Sequence, residues 1–421
     1  MRSSERSWPS IQALVAARCA ISLQRSIDET KLSAMKTSTL SRKLSLDTLS
    51  VHGGQPPDPE TGAVMAPIVL SSTFAQSSPG VHKGFEYSRS GNPTRNALEA
   101  LVASLEGGRH GFAFASGLGA STTLLHTLRS GDHVLIGDDV YGGTFRLLDK
   151  VMKPLGVEST FADMTDLRSV EAAVSASTKL IWIETPTNPM LKIFDIAGIA
   201  EIAKRKGITF VVDNTFATPI LQQPLALGAT AVLHSTTKYI NGHSDVVGGA
   251  VVTNDDALAE RVRFLQNAIG AVPSPFDCFL VMRGAKTLSV RVRQACSTAT
   301  RVAERLVGHP KVERVHFPGL STHPGRAVAE RQMKGFGAMI SFVVKGGKPA
   351  ASAFLEKLEI FSCAESLGGV ESLAELPSVM THASVPEAQR NALGIADGLV
   401  RLSIGIEGAE DLVADVEQAL K

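Results

Sequence analysis

Between Pro93 and about residue 283 the chain repeats one pattern: a short apolar run, a polar cluster, then a helical stretch. The runs are Gly111–Ala115, His133–Gly137, Leu180–Glu184, Thr209–Asp213 and Thr230–His234. Nearly continuous apolar text of this length fits strands buried on both faces, and amphipathic stretches such as Ile196–Lys206 fit the helices that cross between them. The alternation predicts an α/β fold around a mostly parallel sheet. Each run ends in a polar cluster: ASG, DDVYGG, ETPTNP, DNTF and HSTTK. Open sheets of this kind bind ligands at the carboxyl ends of their strands, so these clusters are expected to meet along one edge.

After RGAKTLSVRVRQ (283–294) a long helical pattern runs through Val302–Leu306 to a strand at VERVHFPG (312–319). Further strands are expected at Ala338–Val344 and Val400–Ile404, and EDLVADVEQAL closes the chain as an amphipathic helix. This gives a smaller α+β domain over 284–421 beside the α/β domain of 93–283. Residues 46–92 are rich in Gly, Pro and Ser, and read either as a flexible linker or as an ordered arm that wraps a neighbouring subunit. The first 45 residues carry Arg2, Arg6, Arg18, Arg25, Lys31, Lys36, Arg42 and Lys43 against Glu5, Asp28 and Glu29. They are expected to be disordered, and read as an organelle transit peptide or as an extension upstream of a start at Met35. At 44% hydrophobic and 20% charged, with a net charge of +1, the chain gives no reason to expect nucleic acid or an anionic membrane as partner. Cys19, Cys278, Cys296 and Cys363 form no CxxC pair, so no zinc or redox motif appears, and they read as reduced thiols.

The chemistry concentrates in a few residues at the expected ligand edge. In TAVLHSTTKY (230–239) an apolar run leads to Ser235, Thr237 and Lys238. A lysine with a lowered pKa forms a Schiff base with an aldehyde, and hydroxyls beside it suit a phosphate; the alternative is a solvated loop lysine. Asp213 ends ITFVVD, where a carboxylate would meet a protonated pyridine nitrogen and keep that ring an electron sink; it would equally cap a helix. In FAFASGLGAST (112–122) a strand, a turn and a helix start leave backbone amides for an anion, with Gly117 allowing close approach. The spacing is not GxGxxG, which argues against a dinucleotide site. Tyr141 could stack on a flat ring or be a half-buried aromatic. Arg401 suits a substrate carboxylate, or is a surface arginine on an edge strand. Lys286, in RGAKTL, lies in a helical pattern and is read as structural.

Taken together, GFEYSRSGNPTRN (84–96), FAFASGLGA (112–120), DDVYGGT (138–144), WIETPTNP (182–189), VVDNTFATP (211–219), HSTTKYINGHSDVVGG (234–249), ESLGGVESL (365–373) and VRLSIGIE (400–407) resemble the Cys/Met-metabolism family of pyridoxal-phosphate enzymes, over roughly residues 46–420. The resemblance implies fold type I, with a seven-stranded sheet, and pyridoxal 5'-phosphate as cofactor. It implies that Lys238 is the Schiff-base lysine and proton shuttle, that Asp213 pairs with the ring nitrogen, that Asn188 supports the ring hydroxyl and that Tyr141 stacks on the ring. Ser235, Thr237 and the amides of Gly117 and Leu118 would hold the phosphate. Tyr87 and Arg89 would reach the cofactor of a neighbouring subunit, implying a homotetramer built as a dimer of dimers. Arg401 and Ser366 would bind the substrate α-carboxylate, with Arg146, Arg89 and Tyr141 also contacting substrate. Where relatives commonly have Ala-Ala after the phosphate turn, Gly119-Ala120 stands here, which matters little because the contacts come from backbone.

Within the family the substrate is a small amino acid, and three positions bear on which. Gly143 stands where methionine γ-lyases usually carry Cys; Glu365 stands where those enzymes and homoserine-ester sulfhydrylases tend to have Val; Leu367 stands where cystathionine β-lyases tend to have Trp. Glu365 suits the distal ammonium of cystathionine. LQNAIGAVPSPFDC (265–278) and AESLGGVESLAELPSVMTHASV (364–385) resemble the γ-lyases. The expected activity is cystathionine γ-lyase, with Tyr87 or Tyr141 assisting at sulfur and hydrogen sulfide release from cysteine as a side reaction. γ-Synthase, which uses the same pocket for γ-replacement on a homoserine ester, is the first alternative; a non-catalytic binding protein of the same fold is the second. The expected location is the cytoplasm, or an organelle if the extension directs it there.

Overall fold

The computed structural model describes residues 44–421 apart from Ser384. The expected disorder and targeting role of the first residues lie outside what is described. Among the described residues no helix is long and apolar enough to cross a membrane, and no cluster of His, Cys, Asp and Glu is arranged to hold a metal.

Seven strands form the first sheet: β1 (His110–Phe114), β2 (His133–Gly137), β3 (Glu158–Ala162), β4 (Thr178–Glu184), β5 (Thr209–Asp213), β6 (Ala231–Ser235) and β7 (Gly249–Thr253). Their order is β1-β7-β6-β5-β4-β2-β3. All pairs from β6 across to β3 are parallel, and β7 alone runs against its neighbours β1 and β6. The sheet is therefore mostly parallel, as expected. Two of its strands were not foreseen. β3 is a half-exposed edge strand with no apolar run, and β7 begins at Gly249, the last residue of the HSTTKYINGHSDVVGG motif.

Alternate side chains along the buried strands enter different cores. Val134 and Ile136 join Phe112, Phe114, Trp182 and Leu233 on one face. Leu135, Ile181, Ile183, Phe210 and Val212 meet Ile196, Ile199 and Ile202 of the Ile196–Lys206 helix on the other. That helix starts at Asp195, whose side chain accepts the Gly198 amide, and ends at Gly207 in the left-handed region.

A second sheet contains β8 (Val312–His316), β9 (Met339–Val344), β10 (Ser362–Cys363), β11 (Leu373–Glu375) and β12 (Leu399–Ser403), in the order β10-β11-β12-β9-β8. The third core is continuous between the two sheets. It joins Ala250 and Val252 of β7 to Ile340, Phe342 and Leu402 through Met282, Val292 and Ala299 on the helices Pro275–Ala285 and Leu288–Leu306. The first of these helices spans the expected domain boundary at 283. Lys286 sits just past it and donates to the Val51 carbonyl at 2.7 Å, a structural role as read from sequence. In the Gly/Pro-rich stretch, a short helix at Leu46–His52 went unpredicted; beyond it the arm has only isolated bridges, Thr73 with Tyr87 and Ser78 with Val81.

Candidate active site

The carboxyl ends of β1, β4, β5 and β6 open on a cavity of about 280 Å³, closed on its far side by the segment 365–367 and by β12. Lys238, Asp213, Tyr141, Asn188, Gly117, Leu118, Ser235, Thr237, Glu365, Ser366 and Arg401 all line it. The polar clusters thus meet on one edge, as the strand pattern required.

Lys238 is half-buried, and its Nζ donates to Ser366 Oγ at 2.7 Å. Burial, with the Arg401 charge nearby, lowers its ammonium to about 8. A solvated loop lysine would show neither feature. Ser366 itself has φ 91°, a left-handed conformation that a non-glycine residue adopts only under constraint. Its carbonyl accepts from Arg401 Nη2 at 2.7 Å, which accounts for part of that constraint.

Asp213 ends β5, with Oδ1 accepting the Thr215 amide at 3.0 Å. Directly across on β4 lies Glu184. Burial raises both carboxyls, and the Asp213 charge raises Glu184 further. Asp213 has the Thr215 bonds and the nearby His234 to favour its anion, so Glu184 is the member of the pair that keeps its proton. Glu184 Oε2 also accepts the Tyr141 amide at 3.2 Å, fixing the start of the short helix Gly142–Arg146. Glu184 was read only as a strand end; a buried carboxylate at a strand's carboxyl end beside a second one was the available signal.

At the opposite end of the cavity the helix Gly117–Leu125 begins. Ser116 caps it by accepting the Gly119 amide at 2.9 Å, which leaves the Gly117 and Leu118 amides at a free helix N-terminus. A Cβ on Gly117 would meet the Ser235 side chain at 3.0 Å, so a side chain here would fill the cradle between helix and hydroxyls. Thr237 Oγ1 is held against Gly248, accepting its amide at 3.0 Å.

Arg401 is 2% exposed, on a strand flanked by β11 and β9, not on an edge. Its Nη1 donates to Glu375 Oε1 at 2.8 Å and to Asn188 Oδ1 at 2.9 Å. Glu375, its register partner on β11, is a second residue that the sequence did not single out. Tyr87, Arg89 and Arg146 do not line this cavity. Tyr87 and Arg89 sit together on the exposed arm, the guanidinium 5.5 Å from the ring centroid. Arg146 is exposed at the end of its short helix, close enough to Tyr141 to act on its hydroxyl electrostatically.

These groups fit pyridoxal 5'-phosphate: a low-pKa amine for the aldehyde, a buried acid for the ring nitrogen, an aromatic ring, and hydroxyls beside a helix N-terminus for the phosphate. The sequence matches the family described as Cys/Met metabolism PLP-dependent enzymes over residues 47–421. The chain belongs to this family. A relative named cystathionine β-lyase from Coxiella burnetii is 55% identical over 91% of this chain and all of its own length. One named cystathionine γ-lyase from Dictyostelium discoideum is 54% identical over 89% of this chain and 97% of its own. A solved cystathionine γ-synthase from Xanthomonas oryzae pv. oryzae, in complex with cystathionine, superposes with a TM-score of 0.88 at 49% identity, covering 90% of this chain and 98% of that one. The fold is thus that of fold type I enzymes, and the cofactor is pyridoxal 5'-phosphate. β-Lyases, set aside on Leu367, stand among the relatives with γ-lyases and γ-synthases, and the family membership does not choose between them.

Proposed function

We propose that this enzyme is a cystathionine γ-lyase, releasing cysteine, 2-oxobutanoate and ammonia from cystathionine. The observation that carries the reading is the pair of opposite charges on the cavity: buried Arg401 and exposed Glu365 both line it. Cystathionine has an amino acid at each end, so a cation for one carboxylate and an anion for the far ammonium are what it needs.

The bound cofactor supplies an electron sink through its protonated ring. Lys238 anchors it, and with an amine near pKa 8 takes and returns protons at the substrate Cα and Cβ close to neutral pH. Ser366 Oγ orients that amine. Asp213 would pair with the ring nitrogen and Asn188 with the ring hydroxyl; Ser235, Thr237 and the Gly117 and Leu118 amides would hold the phosphate. Arg401 holds the α-carboxylate, its Nε being buried without a partner and so available. Tyr141 would stack on the ring and assist the leaving sulfur, with Tyr87 from a neighbouring copy as the other candidate. Tyr87 and Arg89 stand exposed on the arm, outside this chain's own cavity, which supports a homotetramer that shares its sites.

γ-Synthase remains the second reading, because the same cavity lining serves γ-replacement. Purified enzyme is assayed with cystathionine, and separately with an activated homoserine ester plus cysteine. Faster 2-oxobutanoate release from cystathionine supports the lyase. Faster cystathionine formation from the ester overturns it, and pyruvate as the keto acid from cystathionine identifies a β-lyase.

A further inference from the structure

In contact with Asn214 and His234, which neighbour the Asp213 and Ser235 strand ends, lies a buried acid that none of the above chemistry uses. Glu106 is the last residue of the helix Pro93–Glu106, which starts at an Asn92 cap and stops at Gly107 in the left-handed region. That helix end delivers the Glu106 side chain, fully buried, to His234. Its Oε1 lies 2.6 Å from His234 Nε2 and accepts from Asn214 Nδ2 at 2.8 Å; its Oε2 is buried with no partner.

Both contacts lead to the ligand edge. Asn214 follows Asp213 in the chain, and its backbone amide donates to the Leu233 carbonyl, tying β5 to β6. Its amide side chain exchanges hydrogen bonds with Gln222, which in turn donates to the Thr185 carbonyl. Asn214 is therefore fixed from several sides. His234 precedes Ser235, and lies close enough to Asp213 for a positive charge on its ring to favour the Asp213 anion. A fully buried carboxylate is stable only when protonated or paired with a positive group, and His234 is the titratable group in hydrogen-bond contact with it. On the β4 side Asp213 faces Glu184, which keeps its proton and so leaves the charge of the pair on Asp213.

We infer that Glu106 is a positioning residue for the cofactor's ring nitrogen: it holds His234 as a cation behind Asp213, and so keeps the Asp213 carboxylate charged and in place. This rests on the reading of Asp213 as the ring-nitrogen partner. Glu106 touches neither cofactor nor substrate; it acts through His234 and Asn214.

The test uses Glu106→Gln, which keeps the shape and an acceptor but removes the charge. Affinity of the cofactor-stripped enzyme is measured for pyridoxal 5'-phosphate and for its 1-deaza analogue, in which CH replaces the ring nitrogen. The expected result is a loss of about tenfold in affinity for the true cofactor, the loss of one charge-assisted contact. Affinity for the analogue is expected to be unchanged. With the true cofactor bound, kcat should fall with KM within about twofold, and the visible absorbance band should shift. His234→Gln should reproduce the pattern, and carries the test if Glu106→Gln does not fold. Unchanged cofactor affinity overturns the inference, as does an equal loss for cofactor and analogue, which would mark a plain structural role. Asp213→Asn separates the two levels. If it discriminates cofactor from analogue while Glu106→Gln and His234→Gln do not, Asp213 is read correctly and Glu106 is not. If it fails to discriminate, the reading of Asp213 falls and the inference falls with it.

Discussion

Replacing Arg401 by Met should both destabilise the enzyme and abolish tight substrate binding, and the two effects can be separated. Arg401 and Glu375 are 2% and 1% exposed at the side chain, paired at 2.8 Å. Without the arginine, Glu375 keeps Thr381 Oγ1 at 2.7 Å as its one side-chain donor, and its Oε2 already has no partner. Stranding one member of a buried pair costs about 3–5 kcal/mol. With an unfolding entropy of about 2.1 cal/mol/K per residue over Leu46–Lys421, each kcal/mol moves the thermal midpoint about 1.3 °C. The expected drop is therefore roughly 4–6 °C. Burial already raises Glu375 above its ordinary 4.5, and Arg401 is the main group holding it down. In the variant its folded pKa rises further, so the unfolded chain binds fewer protons than the folded one above 4.5. The deficit is thus largest at neutral to alkaline pH and shrinks as pH falls towards 5. The double variant Arg401→Met, Glu375→Leu removes both charges and should recover most of the midpoint, because well-packed apolar residues replace a buried pair at little cost. KM for cystathionine should stay raised about 100-fold in both, the loss of a charge-assisted carboxylate contact of 1.5–3 kcal/mol at its upper end. Thermal denaturation and steady-state kinetics on the two variants decide it. A single variant as stable as the wild type would refute the buried-pair reasoning, and a double variant with normal KM would refute the role of Arg401 in binding.

Three further outcomes are expected. Lys238→Ala should lose the visible absorbance of bound cofactor; a band that survives and is fixed by borohydride would mean that another lysine carries it. In cofactor-free enzyme Lys238→Met should be more stable than wild type below pH 8. There the folded chain must keep an ammonium whose pKa has been lowered to about 8 from 10.5, and the advantage should fade as pH rises from 8 to 10.5, where the wild type sheds that proton on folding; a pH-independent difference in denaturation midpoint would count against the lowered pKa. Glu365→Val should raise KM for cystathionine about tenfold, as for one charge-assisted contact, and leave an amino acid without a distal ammonium unaffected. Equal kinetics on both substrates would remove Glu365 from substrate recognition.

What the sequence makes legible here is what repeats locally. Buried parallel strands write continuous apolar runs, and His133–Gly137 and Thr209–Asp213 are read to the residue. The edge strand Glu158–Ala162 is not, because one side of it faces solvent and its text, ESTFA, has no apolar continuity. The ligand edge follows from the strand ends, which is why Lys238, Asp213 and Tyr141 could be named before their neighbours were known. The residues missed share a different property. Glu106, Glu184, His234 and Glu375 are charged or titratable groups buried next to a partner far along the chain; Glu106 and His234 are 128 residues apart. A glutamate in SLEGG or AELP looks like any solvated glutamate, since nothing local reports that a helix end or a register pair will bury it. The named residues line the cavity and are marked by motif, whereas the buried groups next to them are marked only by the fold. The same division bears on the choice of reaction. γ-Lyase, γ-synthase and β-lyase relatives all align with this chain over nearly their full lengths. On the proposed reading the discrimination falls to Glu365 at the cavity mouth, with the exposed arm residues Tyr87 and Arg89 acting on a neighbouring copy. Substitutions at the mouth should therefore change which substrate turns over, while substitutions at Glu375 should alter turnover of every substrate alike.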